Sequence, residues 1–170
     1  MPSFDINQHR HDPYKNFKFS LQMKKGSKFV PVSGLSKISP LKRTTEVVTH
    51  REGDSPSTPR HSPGQSRFEP ITLERGVTHD HEFEAWATSV YSTGGDGAVS
   101  LKNYKRDLLL EFRNLQGVVV RSYTIRNCWV SEYTALPELD ANANGVAFES
   151  IVVQNEGWYR DLSETEKLET

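Results

Sequence analysis

The 170-residue chain is the length of one domain, and 35% hydrophobic with 10% aromatic residues argues against general disorder. A formal charge of -1 gives no global pull toward nucleic acid or an anionic membrane. No run approaches the roughly 20 apolar residues of a membrane span, "MPSFDINQHRHDPYK" lacks the apolar stretch of a signal peptide, and Cys128 has no second cysteine to pair with, so cytoplasmic synthesis is expected.

Residues 1–13 are polar, end in Asp12-Pro13 and read as an extended N-terminal arm ahead of one domain over 14–160. In "YKNFKFSLQM", Phe17, Phe19, Leu21 and Met23 alternate with Lys18, Ser20 and Gln22, the period of a half-buried strand. Lys25-Gly26-Ser27 turns the chain, and "FVPVSGLSKI" returns as a hairpin partner whose Pro31 and Gly34 predict an edge or a bulge. "TTEVVTHRE" is β-branched and strand-like, "GDSPSTPRHSPGQS" reads as a loop, and "RFEPITLER" resumes strand character through Ile71 and Leu73. Residues 42–75 are therefore expected to form a protruding hairpin arm, with strands of about 30 Å. A lone two-stranded ribbon is marginal in water, so such an arm needs another surface.

Phe83, Trp86, Ala87 and Val90 recur at helical spacing and predict a helix over 79–91 that packs on the core, capped by Thr78 or Asp80 and ended by Gly94-Gly95. Three strands follow: "RDLLLEFRN", with Leu108, Leu110 and Phe112 on one face; "VVVRSYTIRNCWVSEYT"; and "VAFESIVVQNEGWYR". Leu115-Gln116-Gly117 makes the first pair a tight hairpin. The middle run is too long for one ordinary strand, which predicts a bend or bulge passing between two sheets. Residues 161–170 form a charged tail. The fold class is mainly β: two packed antiparallel sheets forming a barrel, with one flanking helix.

No catalytic, cofactor-binding or metal-binding residues are assigned. His79 and His81, like His9 and His11, lie two apart without further ligands at metal-site spacing. "DANANG" mimics the start of a calcium loop, but the position that needs a bidentate glutamate holds Ile151, so a polar turn is the reading. Neither a nucleophile elbow nor a phosphate-cradling loop occurs, and "STGGDG" follows a helix instead of opening one. The scattered basic residues lack an aromatic ladder, so no specific nucleic-acid binding is expected.

"DPYKNFKF", "VSGLSKI", "KRTTEVV", "SPGQSRFEPITLERGVTHD", "EFEAWA" and "CWVSEYTALPELDANANGVAFESIVVQNEGW" together resemble the T4-like phage tail tube family, with particular likeness to inner tube proteins of extracellular contractile injection systems and tailocins. The resemblance spans Asp12 to Asp161. It implies a barrel of two sheets with a flanking helix, and rings of six copies stacked into a hollow tube inside a contractile sheath. Contraction would drive that tube through a target envelope. The implied partners are further copies of the chain, the surrounding sheath protein, baseplate and cap proteins, and cargo in the lumen. Assembly in the bacterial cytoplasm is implied as well. In such tubes a long β-hairpin reaches onto the next ring.

On that basis Thr44, Thr45, Glu46, Val47, Val48, Arg51, Arg67, Phe68 and Ile71 are the expected inter-subunit and inter-ring contacts. Phe4, Ile6 and Tyr14 are candidate contacts of the N-terminal arm. Phe83 and Trp86 are expected in the core, while Glu74 and Arg75 either pair across subunits or solvate a strand end. The competing readings are a baseplate tube-initiator with the same fold and a stand-alone β-sandwich binding module.

Overall fold

The computed structural model describes residues 14–51, 53, 57–91 and 103–163. The alternation at the N-terminus becomes β1 (Phe19–Lys25), which turns Leu21 and Met23 into the core and leaves Phe17 exposed ahead of the strand. Gly26, at φ +61, turns the chain into the antiparallel edge strand β2 (Lys28–Pro31). Gly34, at φ +73, turns it again into β3 (Leu35–Ile38). Such positive φ is open to glycine at no steric cost.

β4 (Arg43–His50) and β5 (Arg60–Phe68) form a separate two-stranded antiparallel sheet. β6 (Ile71–Gly76) re-enters the body with Ile71, Leu73 and Arg75 buried. The proline, glycine and serines of "RHSPGQS" thus lie in a strand and not in the loop that composition suggests. In a two-stranded ribbon each strand has one outer side with no ladder, so Pro63 is tolerated there. A bulge between the Thr45–Ser66 and Val47–Pro63 pairs absorbs an extra residue at Gly64-Gln65. A Cβ on Gly64 would sit 3.1 Å from Val48 Cγ2 and 3.2 Å from the Glu46 carbonyl oxygen, which is why glycine stands at that point.

The helix α1 (Glu82–Thr88) is shorter than its periodicity suggests. Asp80 stands before it and accepts the Glu82 backbone N–H at 2.9 Å, while Phe83 and Trp86 are fully buried. Ser92 to Gly97, including Gly94-Gly95, lies outside the described residues. Trp86 Nε1 donates to the Tyr104 carbonyl at 2.9 Å, tying the helix to the approach of β7 (Arg106–Arg113). β7 and β8 (Val119–Thr134) form the expected hairpin, closed by Gly117 at φ +84 and by Asn114, whose side chain accepts the Val118 N–H.

β8 is the hinge of the architecture. Its first half pairs with β7 and with β10 (Trp158–Asp161), and its second half pairs with β9 (Phe148–Gln154). Between the halves stands Asn127 at φ +50, whose backbone N–H donates to Asp107 and whose side-chain amide donates to Glu156. Asparagine tolerates this left-handed geometry better than other side chains. The ladder runs β2-β1-β7-β8-β9-β6-β3, so the bend divides it into two antiparallel sheets. Leu21, Met23, Leu108 and Ile125 from one half meet Ile71, Leu73, Ile151 and Val153 from the other in a single core, with Phe83 and Trp86 added by the helix.

A candidate assembly surface

The ribbon is the upper part of one long hairpin. Ile38 faces Leu73 at the end of the β3–β6 ladder, and five residues further along each strand Arg43 faces Phe68 at the start of β4–β5. The register is therefore preserved through the joint, where Ser39 N–H bonds the Thr72 carbonyl at 2.9 Å and Glu69 N–H bonds the Lys42 carbonyl at 3.0 Å. Pro40 and Pro70 fall between those two bonds and cannot donate to the ladder, so pairing lapses there. The protruding part of the predicted 42–75 arm is thus Arg43–Phe68, while Ile71–Gly76 belongs to the body sheet.

Aromatic packing seats the root. The Phe68 ring meets Trp158 edge-on at 5.8 Å and covers Gly157, and Trp158 in turn meets Tyr123 at 5.9 Å. The Asn155 side-chain amide donates a hydrogen bond to the Glu69 carbonyl at 3.1 Å. An apolar groove of about 420 Å³ opens beside this root, lined by Phe19, Ile38, Leu41, Leu110, Phe112 and Trp158. The Trp158 Nε1–H is buried without a hydrogen-bond partner among the described residues.

Beyond the root the ribbon packs chiefly on itself. Thr45 bonds Ser66 at 2.6 Å and Thr49 bonds His61 on one face, and Arg67 pairs with Glu46 at 2.8 Å on the other. Val47 stays 66% exposed and Val48 50%. Of the expected contact residues, Thr45, Glu46, Val47, Val48, Arg51 and Arg67 are exposed, whereas Thr44 and Phe68 are half-buried at the root. Ile71 is a correction: it is fully buried in the core, because β6 is paired on both sides by β3 and β9, and so it offers no contact surface. Tyr14 packs edge-on against Phe112 in its own subunit. Phe4 and Ile6 lie outside the described residues.

Arg75 is a second correction. It neither solvates a strand end nor reaches a neighbour, being buried against Glu149, Asp80 and the face of Phe83, 4.1 Å from the ring centroid. Tyr133 donates its hydroxyl to the other oxygen of Glu149 at 3.1 Å. Glu74 pairs with Lys37 at 3.6 Å. Sequence reading missed this network, since only the Arg75–Glu149 register brings the charges together.

At the far end of β6 and β9 Gly76 faces Phe148, and the β8–β9 connection, residues 135–147, leaves Leu136, Leu139 and Val146 exposed. Asp140 closes a turn in it by accepting the Asn142 N–H at 2.9 Å, the polar-turn role expected of "DANANG".

A model of the T4-like virus tail tube protein gp19 family matches residues 15–159. No curated protein matches the chain. Among solved structures, a chain of the 6-fold symmetrised anti-feeding prophage baseplate is similar at TM-score 0.73 and 18% identity, over 88% of this chain and 95% of that one. A chain of the extended sheath-tube complex of the PVC extracellular contractile injection system is similar at TM-score 0.72 and 21% identity, over 95% and 99%. Hcp1 from Flavobacterium johnsoniae is similar at TM-score 0.51 and 13% identity, over 83% and 94%. At these identities the likeness is one of fold.

Proposed function

The chain belongs to the T4-like virus tail tube protein family, and from that premise we propose that it builds the inner tube of a phage tail or contractile injection particle. Its role is structural and not enzymatic. In this reading six copies close a ring, rings stack head to tail into a hollow tube, and contraction of a surrounding sheath drives the tube through a target envelope. Sheath, baseplate and cap proteins are its partners, cargo occupies the lumen, and assembly takes place in the bacterial cytoplasm.

The observation that carries this reading is the ribbon Arg43–Phe68, which projects from the body and exposes Val47 and Val48. A two-stranded ribbon with no surface beneath it is marginally stable and prone to stray pairing. Docking on another copy supplies that surface. The exposed edge strand β2 offers a place for lateral pairing within a ring. β2 and β3, at the two ends of the ladder, are joined by residues 32–34, which favours a barrel-like body.

Negative-stain microscopy of the expressed protein tests the proposal. Stacked annuli are expected, and a monodisperse particle of about 19 kDa at every concentration would refute it. The similarity to a baseplate chain favours one second reading, a tube initiator at the baseplate. The position of the labelled protein in intact particles separates the two.

A further inference from the structure

"DANANG" sets two Ala-Asn pairs in succession within the exposed β8–β9 connection, and the fold holds them differently. The backbone N–H that follows Asn142 belongs to Ala143 and donates to the Asp140 carbonyl at 3.2 Å. The Asn142 N–H is tied as well, to the Asp140 carboxylate at 2.9 Å. The next tie along the chain is at Ala147, whose carbonyl accepts the Val77 N–H at 3.0 Å. Between these two points Asn144 and Gly145 are both exposed and lie outside any helix or strand. Among the described residues, neither the Asn144 side chain nor the Gly145 N–H has a hydrogen-bond partner. We propose that Asn144 is a site of spontaneous deamidation, where the chain converts itself to aspartate and isoaspartate without an enzyme.

The nucleophile in this reaction is the backbone nitrogen of the residue after the asparagine. Hydroxide takes the Gly145 N–H proton, and the nitrogen attacks Asn144 Cγ. The N–Cγ bond forms, the Cγ–Nδ2 bond breaks, and ammonia leaves with a proton from water. Water then opens the cyclic imide. Addition at Cγ gives aspartate on the original main chain, whereas addition at the Asn144 backbone carbonyl carbon leaves Gly145 joined through Cγ as isoaspartate. Water is the only co-reactant, and nothing is oxidised or reduced. Asn144 is the one asparagine of the sequence that precedes a glycine, which has no side chain to hold its nitrogen away from Cγ. No ladder has to break for the ring to close. Other asparagines are held: the N–H after Asn155 donates to the Arg126 carbonyl at 3.0 Å, Asn127 gives its amide to Glu156, and buried Asn114 accepts the Val118 N–H. The new carboxylate joins Glu138 and Asp140 in a connection with no basic residue, and isoaspartate adds one carbon to its main chain.

The test incubates the folded full chain and a guanidinium-unfolded sample at mildly alkaline pH. Both are then digested in mild acid with a glutamate-specific protease and read by mass spectrometry. Cleavage after Glu138 and Glu149 releases a peptide whose only asparagines are Asn142 and Asn144, so Asn142 is an internal control. In the folded chain the amide-to-acid mass gain is expected at Asn144, at a rate that rises in proportion to hydroxide and matches that of the unfolded sample. Asn142 should convert severalfold more slowly. Severalfold protection of Asn144 by folding, or equal conversion of the two asparagines in the folded chain, overturns the inference. Gly145→Ala is a second check. A Cβ there meets no atom within 4 Å, so the fold accepts it. Conversion should fall severalfold, and the acidic band that grows on isoelectric focusing of the unaltered chain should fade with it; an undiminished band overturns the assignment. Neither result bears on the tube role.

Discussion

Arg75 and Glu149 stand directly opposite each other in the β6–β9 ladder, and the guanidinium Nε donates to the carboxylate at 2.5 Å with both side chains buried. Removing one partner strands the other charge in the core. Arg75→Ala is therefore expected to cost about 3–5 kcal/mol, lowering the unfolding temperature by roughly 10 °C. The double replacement Arg75→Met with Glu149→Leu should recover most of that loss, because no buried charge is left unpaired and Asp80, which loses Arg75, is partly exposed to water. Thermal unfolding of the three proteins compares them directly.

Asp80 links the same network to the helix. The Glu82 backbone N–H, followed by the Arg75 guanidinium, holds its carboxyl below its ordinary value of 3.8. A carboxyl depressed on folding contributes stability above its unfolded value and loses it as pH falls through the folded one. Asp80→Asn should accordingly flatten the decline in stability below about pH 4, with a smaller difference between pH 4 and 3 than in the unaltered chain. Denaturant midpoints across that range measure it. The effect is modest because the carboxylate is partly exposed.

Burial, reinforced by the charge of Asp107, pushes the Cys128 thiol up to about 12. The thiolate is the reactive form, so the folded protein should resist maleimide at neutral pH and react only once denatured. Rapid labelling of the native protein would contradict that placement.

Asn127 holds the bend of β8 at φ +50 and donates its amide to Glu156. Asn127→Ala loses the bond and places an ordinary side chain in left-handed geometry, an expected cost of about 2 kcal/mol. Asn127→Gly keeps the geometry and should cost less. Urea unfolding separates the two.

Val47 is exposed and lies outside the core. Val47→Asp is expected to leave subunit stability within about 0.5 kcal/mol while abolishing filaments. Unfolding curves and microscopy on the same preparation check both halves; filaments of ordinary length would remove the ribbon from the assembly contact.

Much of the body was legible because its pattern is local. Leu21 and Met23 alternate in β1, Phe83 and Trp86 share a helix face, and the excessive length of the run around Cys128 betrayed a bend before any geometry was known. The ribbon was legible as an arm but not in its extent. Pro63 and Gly64 belong to loop composition, and only pairing with Val47 and Val48 makes them strand. Ile71 reads like its neighbours in the arm until β3 and β9 close over it, and Arg75 reads as surface until Glu149, 74 positions away, arrives opposite. Long-range pairing decides such residues, and one-dimensional pattern does not contain it.

The unbroken register through Pro40 and Pro70 has a mechanical consequence. A pull on the tip of the arm runs down two backbones straight into β3 and β6, so the β3–β6 and β6–β9 ladders receive it lengthwise, many bonds sharing the load at once. The joint between the prolines, with its interrupted ladder, is where the arm can flex. Bending is thereby confined to one short collar, and tension passes to the middle of the molecule.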